Sequence, residues 1–271
     1  MTWRLLITPP STGSWNMAVD EALLLSTASH QSPPTLRLYD WLPDCLSLGY
    51  AQPVNEINHE ELQAQGWDLV RRPTGGRAIL HRLEITYSIT APQTTPLVAG
   101  SLLESYRRIS NTLLHVLEVL GIDAQADKEY STLSPQQRMQ PVCFEVPSNY
   151  EITANGKKLI GSAQARKAGG VLQHGSLPLE GEIGLITKAL NFPSENERQA
   201  AQKRVETHAT TLQSVIGRRI SWSEAALAFQ LAFSKALEEP LEQGELLEAE
   251  KSLVKDLLTS KYSHPSWNER I

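Results

Sequence analysis

The sequence predicts an α+β fold on three observations. Segments with strand character lie in the middle of the chain, whereas the pattern is mostly helical from about residue 181 onward. Glu84–Thr90 alternates apolar and polar side chains with a period of two, which is typical of a half-buried strand. Leu102–Leu120 carries a single apolar stripe at helical spacing. Strands and helices do not alternate regularly, so a doubly wound sheet is not expected.

The first elements follow from local signals. Ser14–Ser29 has partial helical periodicity, and Ser14 is the predicted N-cap. Thr35–Tyr39 and Cys45–Gly49 read as strands joined by a turn. Asn55–Gln65 is predicted to be a short helix that ends before a glycine.

Two later signals are sharper. Ser101 and Glu104 form a capping-box pattern at the start of the long helix. Asn155-Gly156 separates two strand-like runs and predicts a tight hairpin, because both central positions of a type I′ turn need positive φ. Ser221 and Glu224 suggest another capping box near the end of the chain.

Length and composition favour one domain. The 271 residues are 41% hydrophobic, which suffices for a substantial core. We expect a single domain over 1–271 with a mostly helical C-terminal part from about 181. The net charge of −5 argues against nucleic-acid binding. No signal peptide or apolar run long enough for a membrane span is evident, so no membrane partner is expected.

The two cysteines, Cys45 and Cys143, do not suggest a disulfide framework, and no Cys/His spacing suggests zinc. A reducing cytoplasm is therefore the expected location. Cys45 lies within a strand and reads as a core residue. Cys143 lies at a loop–strand junction, where it is either an idle thiol or a nucleophile activated by a cation such as Lys158.

The segment RRPTGGRAILH (71–81) reads as strand, glycine turn, strand. Paired glycines let a main chain approach a ligand closely, and exposed N–H groups can hold a phosphate or carbonyl oxygen. Adjacent arginines on a strand alternate faces, so at most one of Arg71 and Arg72 is expected to point into one site. The plain alternative is a hairpin with a solvated arginine pair.

Two further segments could contribute to a site. After the hairpin turn, alternation places Lys157 and Lys158 on opposite sides, and the small residues Gly161-Ser162-Ala163 leave room for a ligand. A lysine beside that gap could bind a carbonyl or phosphate oxygen, although two surface lysines are the plain alternative. His174 could bond to the main chain or orient the glycine turn from an adjacent strand, and a structural role is favoured.

The order and spacing of these segments closely resemble the successive signatures of the lipoate–protein ligase A family. RRPTGGRAILH is followed by NGKKLIGSAQARK (155–167) and GGVLQHGSLPL (169–179), and WNMAVDEALL (15–24) and CLSLGYAQP (45–53) match the family's opening pattern. The resemblance runs from about Trp3 to Leu179. It implies the biotin/lipoate ligase catalytic-domain fold, a mixed main sheet plus a smaller sheet flanked by helices.

The resemblance also implies a site. Lys158 matches the family's essential lysine, which contacts the acyl carbonyl, and the RRPTGG segment would line the acyl or acyl-adenylate site. Leu69, Ile79 and Ile160 are candidates for an apolar slot that takes the acyl chain. No metal is expected. The substrate-binding residues so implied are Arg71, Arg72, Thr74, Gly75, Gly76, His81, Gly161, Ser162 and His174.

Two departures from the ATP-dependent ligases favour a transferase. First, Arg77 stands where those ligases usually have a third glycine, and their full accessory domain is not expected in a chain of this length. Second, those ligases lack a cysteine at the position of Cys143. The segment CFEVPSNYEI (143–152) looks instead like the octanoyltransferases that charge the glycine-cleavage H protein, in which this cysteine is the nucleophile.

The implied function is octanoyl transfer in protein lipoylation, with Cys143 and Lys158 as the catalytic residues and a thioester acyl-enzyme. The donor would be octanoyl-acyl carrier protein, and the acceptor a lipoyl-domain protein, either the glycine-cleavage H protein or a dehydrogenase E2 subunit. No cofactor is needed, and a monomer is the default expectation. Alternatives are an ATP-dependent lipoate–protein ligase, an amidotransferase between lipoyl domains, and a non-catalytic binder of lipoyl domains.

Overall fold

The computed structural model describes residues 2–126, 151–237 and 239–270. Its strands are β1 (Trp3–Ile7), β2 (Thr35–Tyr39), β3 (Cys45–Leu48), β4 (Asp68–Arg71), β5 (Ile79–His81), β6 (Glu84–Pro92), β7 (Gln125–Ala126), β8 (Ile152–Ala154), β9 (Lys157–Lys167), β10 (Gly170–Pro178) and β11 (Leu241–Gln243). Its α-helices are α1 (Gly13–Ala28), α2 (His59–Gln65), α3 (Leu102–Val119), α4 (Glu195–His208), α5 (Leu212–Ile216), α6 (Trp222–Ala236), α7 (Glu248–Leu257) and α8 (Pro265–Asn268).

Two sheets organise these elements. Within the described residues the main sheet has eight strands in the order β11-β1-β2-β6-β10-β9-β8-β7, and the smaller sheet has the order β4-β3-β5. The main sheet is mixed, because β1 pairs in parallel with both β2 and β11 whereas the pairs from β2 to β7 are antiparallel. The prediction of an α+β fold is confirmed.

The main sheet is covered on both faces. On one face Ile85, Tyr87 and Ile89 of β6 pack in a core that includes the apolar sides of α3 and α6. On the other face Leu6 and Tyr39 pack against α1 and the C-terminal helices. The prediction of a half-buried strand at Glu84–Thr90 is therefore wrong, because every residue of β6 is buried. Its polar face is enclosed by α1 and by the candidate site described below.

The smaller sheet excludes the alternative of a hairpin at residues 71–81. The strands β4 and β5 do not pair with each other but lie on either side of β3, which is parallel to β4 and antiparallel to β5. The turn between them contains Gly75 and Gly76 and is called the glycine turn below. It therefore passes over the end of β3. The alternative of a solvated arginine pair is also excluded, because Arg71 and Arg72 are buried.

Local signals place several element ends as expected. Ser101 and Glu104 form both halves of the capping box of α3. Asn155 and Gly156 have φ values of 53° and 72° between β8 and β9, as a type I′ turn requires. The first helix is a correction, since Thr12 and not Ser14 is the N-cap of α1.

After β10 the regular elements of the described chain are helices, except for β11. That strand returns to the edge of the main sheet beside β1. No helix among the described residues is long and apolar enough to cross a membrane.

Candidate active site

A cavity with about 420 Å³ of empty space, which includes space open to solvent, lies between α1, the smaller sheet and the polar face of the main sheet. Several of the expected site residues line it, namely Arg72, Gly76, His81, Gly161, Ser162 and His174. Other lining residues come from α1 and from the ends of β2 and β6, and include Met17, Tyr39, Trp41 and Thr86, which the sequence did not single out.

Most of the exposed cavity surface is apolar. The Trp41 ring stacks on the His81 ring with 3.9 Å between centroids and 11° between planes. Ile79 lines the cavity as expected for an acyl slot. The other two candidates for that slot are placed elsewhere: Leu69 packs against the core of the smaller sheet, and Ile160 belongs to the core beneath the main sheet.

The glycine turn passes over Gly49 at the end of β3. A Cβ added to Gly49 would lie 1.9 Å from the Gly76 carbonyl oxygen, so only glycine permits this approach. Gly76 itself has φ of +92°, and the Tyr50 N–H donates to the Thr74 carbonyl oxygen at 2.8 Å. The turn is thus fixed to β3 through main-chain contacts.

The Arg72 side chain also holds the glycine turn in place. Its guanidinium donates to the carbonyl oxygens of Gly75 (2.9 Å) and Arg77 (2.7 Å), and to the carbonyl oxygen of Ser47 (3.0 Å). Arg72 Nη1 also donates to Ser47 Oγ at 3.0 Å. Arg72 therefore shapes the turn through its main-chain carbonyls.

His81 continues this set of hydrogen bonds. Its Nε2 lies 2.7 Å from Ser47 Oγ and its Nδ1 lies 2.8 Å from Glu84 Oε1. These two contacts fix both nitrogens of the ring. Thr86 and Ser176 also donate to Glu84. His81 is thereby held flat against Trp41.

His174 joins the turn to α1. Its Nδ1 lies 3.0 Å from Asp20 Oδ2, and its Nε2 lies 2.7 Å from Thr74 Oγ1. Burial lowers the pKa of His174 despite the opposing effect of Asp20, so the ring is neutral near pH 7. Nδ1–H then donates to Asp20, and the Thr74 hydroxyl donates to Nε2. His174 orients the glycine turn, one of the two roles considered for it.

Asp20 is a site residue that sequence reasoning missed. It is fully buried and forms an ion pair with Arg37 at 2.8 Å, and it accepts hydrogen bonds from Tyr39 (2.9 Å) and Ser88 (2.8 Å). Burial acts to raise its pKa, but the His174 hydrogen bond and the Arg37 charge hold that pKa below the ordinary value. The adjacent acids Asp20 and Glu21 in the otherwise largely apolar run WNMAVDEALL were the available signal.

Arg71 lies elsewhere. Its guanidinium donates to the carbonyl oxygens of Gly49 (2.9 Å) and Gln52 (2.6 Å). It also bonds to three carbonyl oxygens of the C-terminal segment: Trp267 (3.1 Å), Asn268 (3.0 Å) and Arg270 (2.9 Å). The expectation that only one arginine of the pair points into the site is met, and that arginine is Arg72.

Lys158 is buried at the start of β9, three residues before Gly161. Its Nζ lies 2.5 Å from Glu151 Oε1, and the two side chains are 4% and 11% exposed. Lys157, in contrast, reaches outward and donates to the Glu206 carbonyl oxygen at 2.6 Å. The alternative of two surface lysines is therefore excluded for Lys158. Sequence reasoning missed Glu151.

Of the two cysteines, Cys143 lies outside the described residues. Cys45 is fully buried in β3, and burial raises the pKa of its thiol well above the ordinary value, assisted by Asp68, Glu84 and Asp44. Cys45 is thus a core residue, as expected, and a poor nucleophile. No three His, Cys, Asp or Glu side chains within the described ranges are grouped as a metal site would need.

Comparison with known proteins identifies the class. Residues 12–234 match the lipoyl protein ligase A/B catalytic domain. The octanoyltransferase LipM of Kyrpidia tusciae is 42% identical over 99% of both chains, and that of Bacillus subtilis is 37% identical over 98% of both. The chain belongs to the lipoyl protein ligase A/B catalytic domain family. With relatives this similar from end to end, the predictions of an acyltransferase and of octanoyl transfer in protein lipoylation are confirmed.

Solved structures show the same fold. A bipartite lipoate protein ligase from Thermoplasma acidophilum, described with its E2 lipoyl domain, superposes with a TM-score of 0.82 at 24% identity and covers 99% of this chain and 96% of its own. A lipoate-protein ligase A bound with ATP superposes with a TM-score of 0.81 at 24% identity, with 99% of each chain covered. The expected ligase catalytic-domain fold is confirmed.

Proposed function

We propose that this octanoyltransferase takes its octanoyl group from octanoyl-acyl carrier protein, holds it as a thioester on Cys143, and passes it to a lysine of a lipoyl-domain protein. The observation that carries the proposal is the state of the other cysteine. The chain has only two, and the buried Cys45 thiol has a strongly raised pKa. A cysteine mechanism therefore requires Cys143.

The cavity beside the glycine turn is the binding site in this proposal. It is lined by the stacked Trp41 and His81 rings together with Met17 and Ile79. An octanoyl chain has about six methylenes, and burying each contributes ~0.8 kcal/mol, which amounts to about 5 kcal/mol. That free energy favours a medium chain over a short one.

In the first half-reaction, the Cys143 thiolate attacks the carbonyl carbon of the donor thioester. A new C–S bond forms to Cys143, the donor C–S bond breaks, and the carrier thiolate leaves and is protonated. One thioester replaces another, so the step is close to isoenergetic.

In the second half-reaction, the ε-amine of the acceptor lysine attacks the same carbonyl carbon. A C–N bond forms, the C–S bond to Cys143 breaks, and the enzyme thiol is regenerated. An amide is more stable than a thioester, so transfer is downhill and needs no ATP.

Both half-reactions place negative charge on the acyl oxygen. The Lys158 ammonium and the main-chain N–H groups of Gly75 and Gly76 are the donors in our proposal. One well-placed donor of this kind lowers the barrier by roughly 3 kcal/mol. The glycine turn is suited to the role because Arg72, Gly49 and Thr74 hold its main chain rigid.

Intact-mass spectrometry tests the proposal. Wild type, Cys143→Ala and Cys45→Ala are mixed with octanoyl-acyl carrier protein without ATP. We expect one octanoyl adduct, removed by hydroxylamine, on wild type and on Cys45→Ala, and none on Cys143→Ala. Adding glycine-cleavage H protein or an E2 lipoyl domain should discharge the adduct and identify the preferred acceptor.

The opposite result would make the chain a ligase. If no variant forms an adduct, and Cys143→Ala acylates a lipoyl domain only when ATP is present, Cys143 is not the nucleophile. Discharge by a second lipoyl domain after loading from an octanoylated one, but not from the carrier protein, would instead identify an amidotransferase.

A further inference from the structure

A second space adjoins the cavity of the candidate site. In the part of the chain that the structure describes, it has about 440 Å³ of empty space, which includes space open to solvent. Ile79 of β5 and Ser176 of β10 line both the cavity and this second space. Ile79 is 8% exposed and Ser176 is fully buried. These two residues therefore form a boundary between the two spaces.

The second space continues along the same face of the main sheet. On β10, His174 lines the cavity and Pro178 lines the second space, with Ser176 between them. The neighbouring strand β6 repeats this pattern, with Thr86 in the cavity and Glu84 in the second space. Alternate residues of a strand point to one face of the sheet, so the two spaces follow one another along that face.

The second space offers apolar side chains to whatever enters it from the cavity. Beyond Ile79 it is lined by Leu80, Ile183 and Ile186, and Ile186 belongs with Ile79 to the core of the smaller sheet. The Glu84 carboxylate also lines it, but it already accepts hydrogen bonds from Thr86 and Ser176. The charged residues at the solvent side are Arg82, Glu180 and Glu182.

The length of an octanoyl group matches the distance available before this boundary. The cavity also borders an open groove beside α3, and Gly76 and Ser162 line both. Gly76 and Ile79 are three residues apart, which limits their separation to at most ~11 Å. An extended octanoyl chain spans about 9 Å, because its carbon–carbon bonds of ~1.5 Å zigzag. A chain with its carbonyl at the glycine turn can therefore reach Ile79 with its methyl end.

We propose that Ile79, together with Ser176, closes the far end of the acyl cavity and makes octanoyl the longest chain that this enzyme transfers efficiently. The inference rests on the proposed function, which places the acyl carbonyl at the glycine turn. The β-branched Ile79 side chain has few rotamers and cannot turn aside easily. A longer chain must displace it from a packed core, unless the side chain is shortened and the two spaces join.

The experiment shortens the boundary and compares the result with a matched control. Ile79→Ala removes most of the side chain, and Ile79→Val removes one methyl group, so that a folded variant is available if the first is too unstable. Ile186→Ala deletes the same atoms from the same core, but Ile186 lines only the second space. Thermal unfolding shows that each variant is folded, and the two alanine variants should lose similar stability.

The first readout is kcat/KM with octanoyl- and decanoyl-acyl carrier protein as donors. We expect the decanoyl-to-octanoyl ratio to rise at least about 10-fold in Ile79→Ala, because each of two further buried methylenes contributes about 4-fold. Ile79→Val should raise the ratio by about 3-fold, and Ile186→Ala should keep the wild-type ratio. An unchanged ratio in both folded Ile79 variants would overturn the proposal. So would an equal rise in Ile186→Ala, since a loosened core would then be the cause.

The second readout does not depend on acyl transfer. Isothermal titration calorimetry with octanoate and decanoate measures how well the cavity takes each free chain. We expect the affinity for decanoate relative to octanoate to rise at least about 10-fold in Ile79→Ala and to stay at the wild-type value in Ile186→Ala. If wild type takes no octanoyl group from the carrier protein, the proposed donor is wrong, but this gain would still support the boundary at Ile79. A folded Ile79→Ala that gains no preference for decanoate would contradict it.

Discussion

At the scale of single residues, the site depends on one contact between two main chains. Gly49 directly follows β3 and lies against the glycine turn, where the Gly76 carbonyl oxygen approaches it most closely. Neither residue offers a side chain to a substrate. Their contribution is to let the turn lie close enough to β3 for Arg72 to reach three carbonyl oxygens.

Gly49→Ala should therefore displace the turn. The added Cβ would lie 1.9 Å from the Gly76 carbonyl oxygen, which is a main-chain atom and cannot move aside cheaply. We expect a loss of about 3 kcal/mol in stability and at least a 10-fold fall in kcat/KM for octanoyl transfer. Denaturant unfolding and steady-state kinetics measure the two effects.

Gly75→Ala is the stability control for that change. It lies on the same turn, but its added Cβ would meet no atom within 4 Å. Its unfolding free energy should stay within about 0.5 kcal/mol of wild type. Equal stability losses in the two variants would show that the close approach at Gly49 is not what makes glycine necessary there.

At the scale of elements, the smaller sheet is supported by the C-terminal segment. The Arg71 guanidinium on β4 is fully buried and bonded to carbonyl oxygens on two sides, three of them from residues 267–270. Burial and the nearby charge of Arg270 lower the pKa of Arg71. The dipoles of main-chain carbonyl groups therefore offset most of the hydration energy that this buried cation loses.

Arg71→Lys should show that an ordinary cation cannot replace the guanidinium. Lysine has three donors at one point and cannot reach carbonyls on both sides, so several buried oxygens lose their partner. We expect a loss of about 3 kcal/mol in the free energy of unfolding, measured with urea. Arg218→Lys, in an exposed pair with Glu224, should change it by less than about 0.5 kcal/mol.

Elements with local causes were the ones predictable from sequence. The capping box at Ser101 and the positive φ at Asn155-Gly156 depend on neighbours within four residues, and both were placed correctly. The arrangement of β4 and β5 around β3 was not predictable, because the pattern of each strand does not specify its partner. The alternative of a hairpin between them was wrong for that reason.

Some residues of the candidate site were likewise predictable from the sequence, and others were not. The glycine turn, His174 and Lys158 are visible in the sequence as motifs, and the first two contact each other through Thr74. Asp20 and Glu151 were missed, because acids in a helix or before a strand form no distinguishing pattern in the sequence. Their importance arises from burial beside a histidine and a lysine, which only the fold creates.

At the scale of the whole molecule, the two ends of the chain meet. Strand β11 extends the main sheet beside β1, and Glu250 of α7 forms a buried ion pair with Arg4 of β1 at 2.6 Å. Glu250 also accepts from Ser32 Oγ at 2.6 Å. The pair connects the C-terminal helices to the sheet that carries the site.

Glu250→Gln should destabilise the whole protein by about 3 kcal/mol, because it leaves Arg4 buried without its counter-charge. Glu248→Gln, exposed on the same helix, should have little effect. The difference should depend on pH. Burial acts to raise the pKa of Glu250, but Arg4 and Ser32 hold it below the ordinary value of 4.5.

The direction of this pH dependence follows from the difference between the pKa values of Glu250 in the folded and unfolded states. A carboxyl group with a depressed pKa stabilises the folded state at any pH above its unfolded value, and that stability is lost as the pH falls below about 4.5. Wild type and Glu250→Gln should thus differ by a constant amount between pH 6 and 8, and the difference should shrink progressively as the pH falls below about 4.5 toward the depressed pKa of the folded state. Urea unfolding at these pH values checks this, and a difference that grows in acid would contradict it.

The main-chain carbonyl oxygens that accept from the Arg71 guanidinium also bear on the order in which the protein assembles. Those of the C-terminal segment are separated from Arg71 by 196 to 199 positions along the chain, so they are synthesised long after β4. A guanidinium without these partners must keep its water, which prevents β4 from being sealed into the core. We therefore expect the glycine turn to lack the contacts of the C-terminal segment until the last residues dock, and the cavity of the candidate site to be among the last parts of the protein to form.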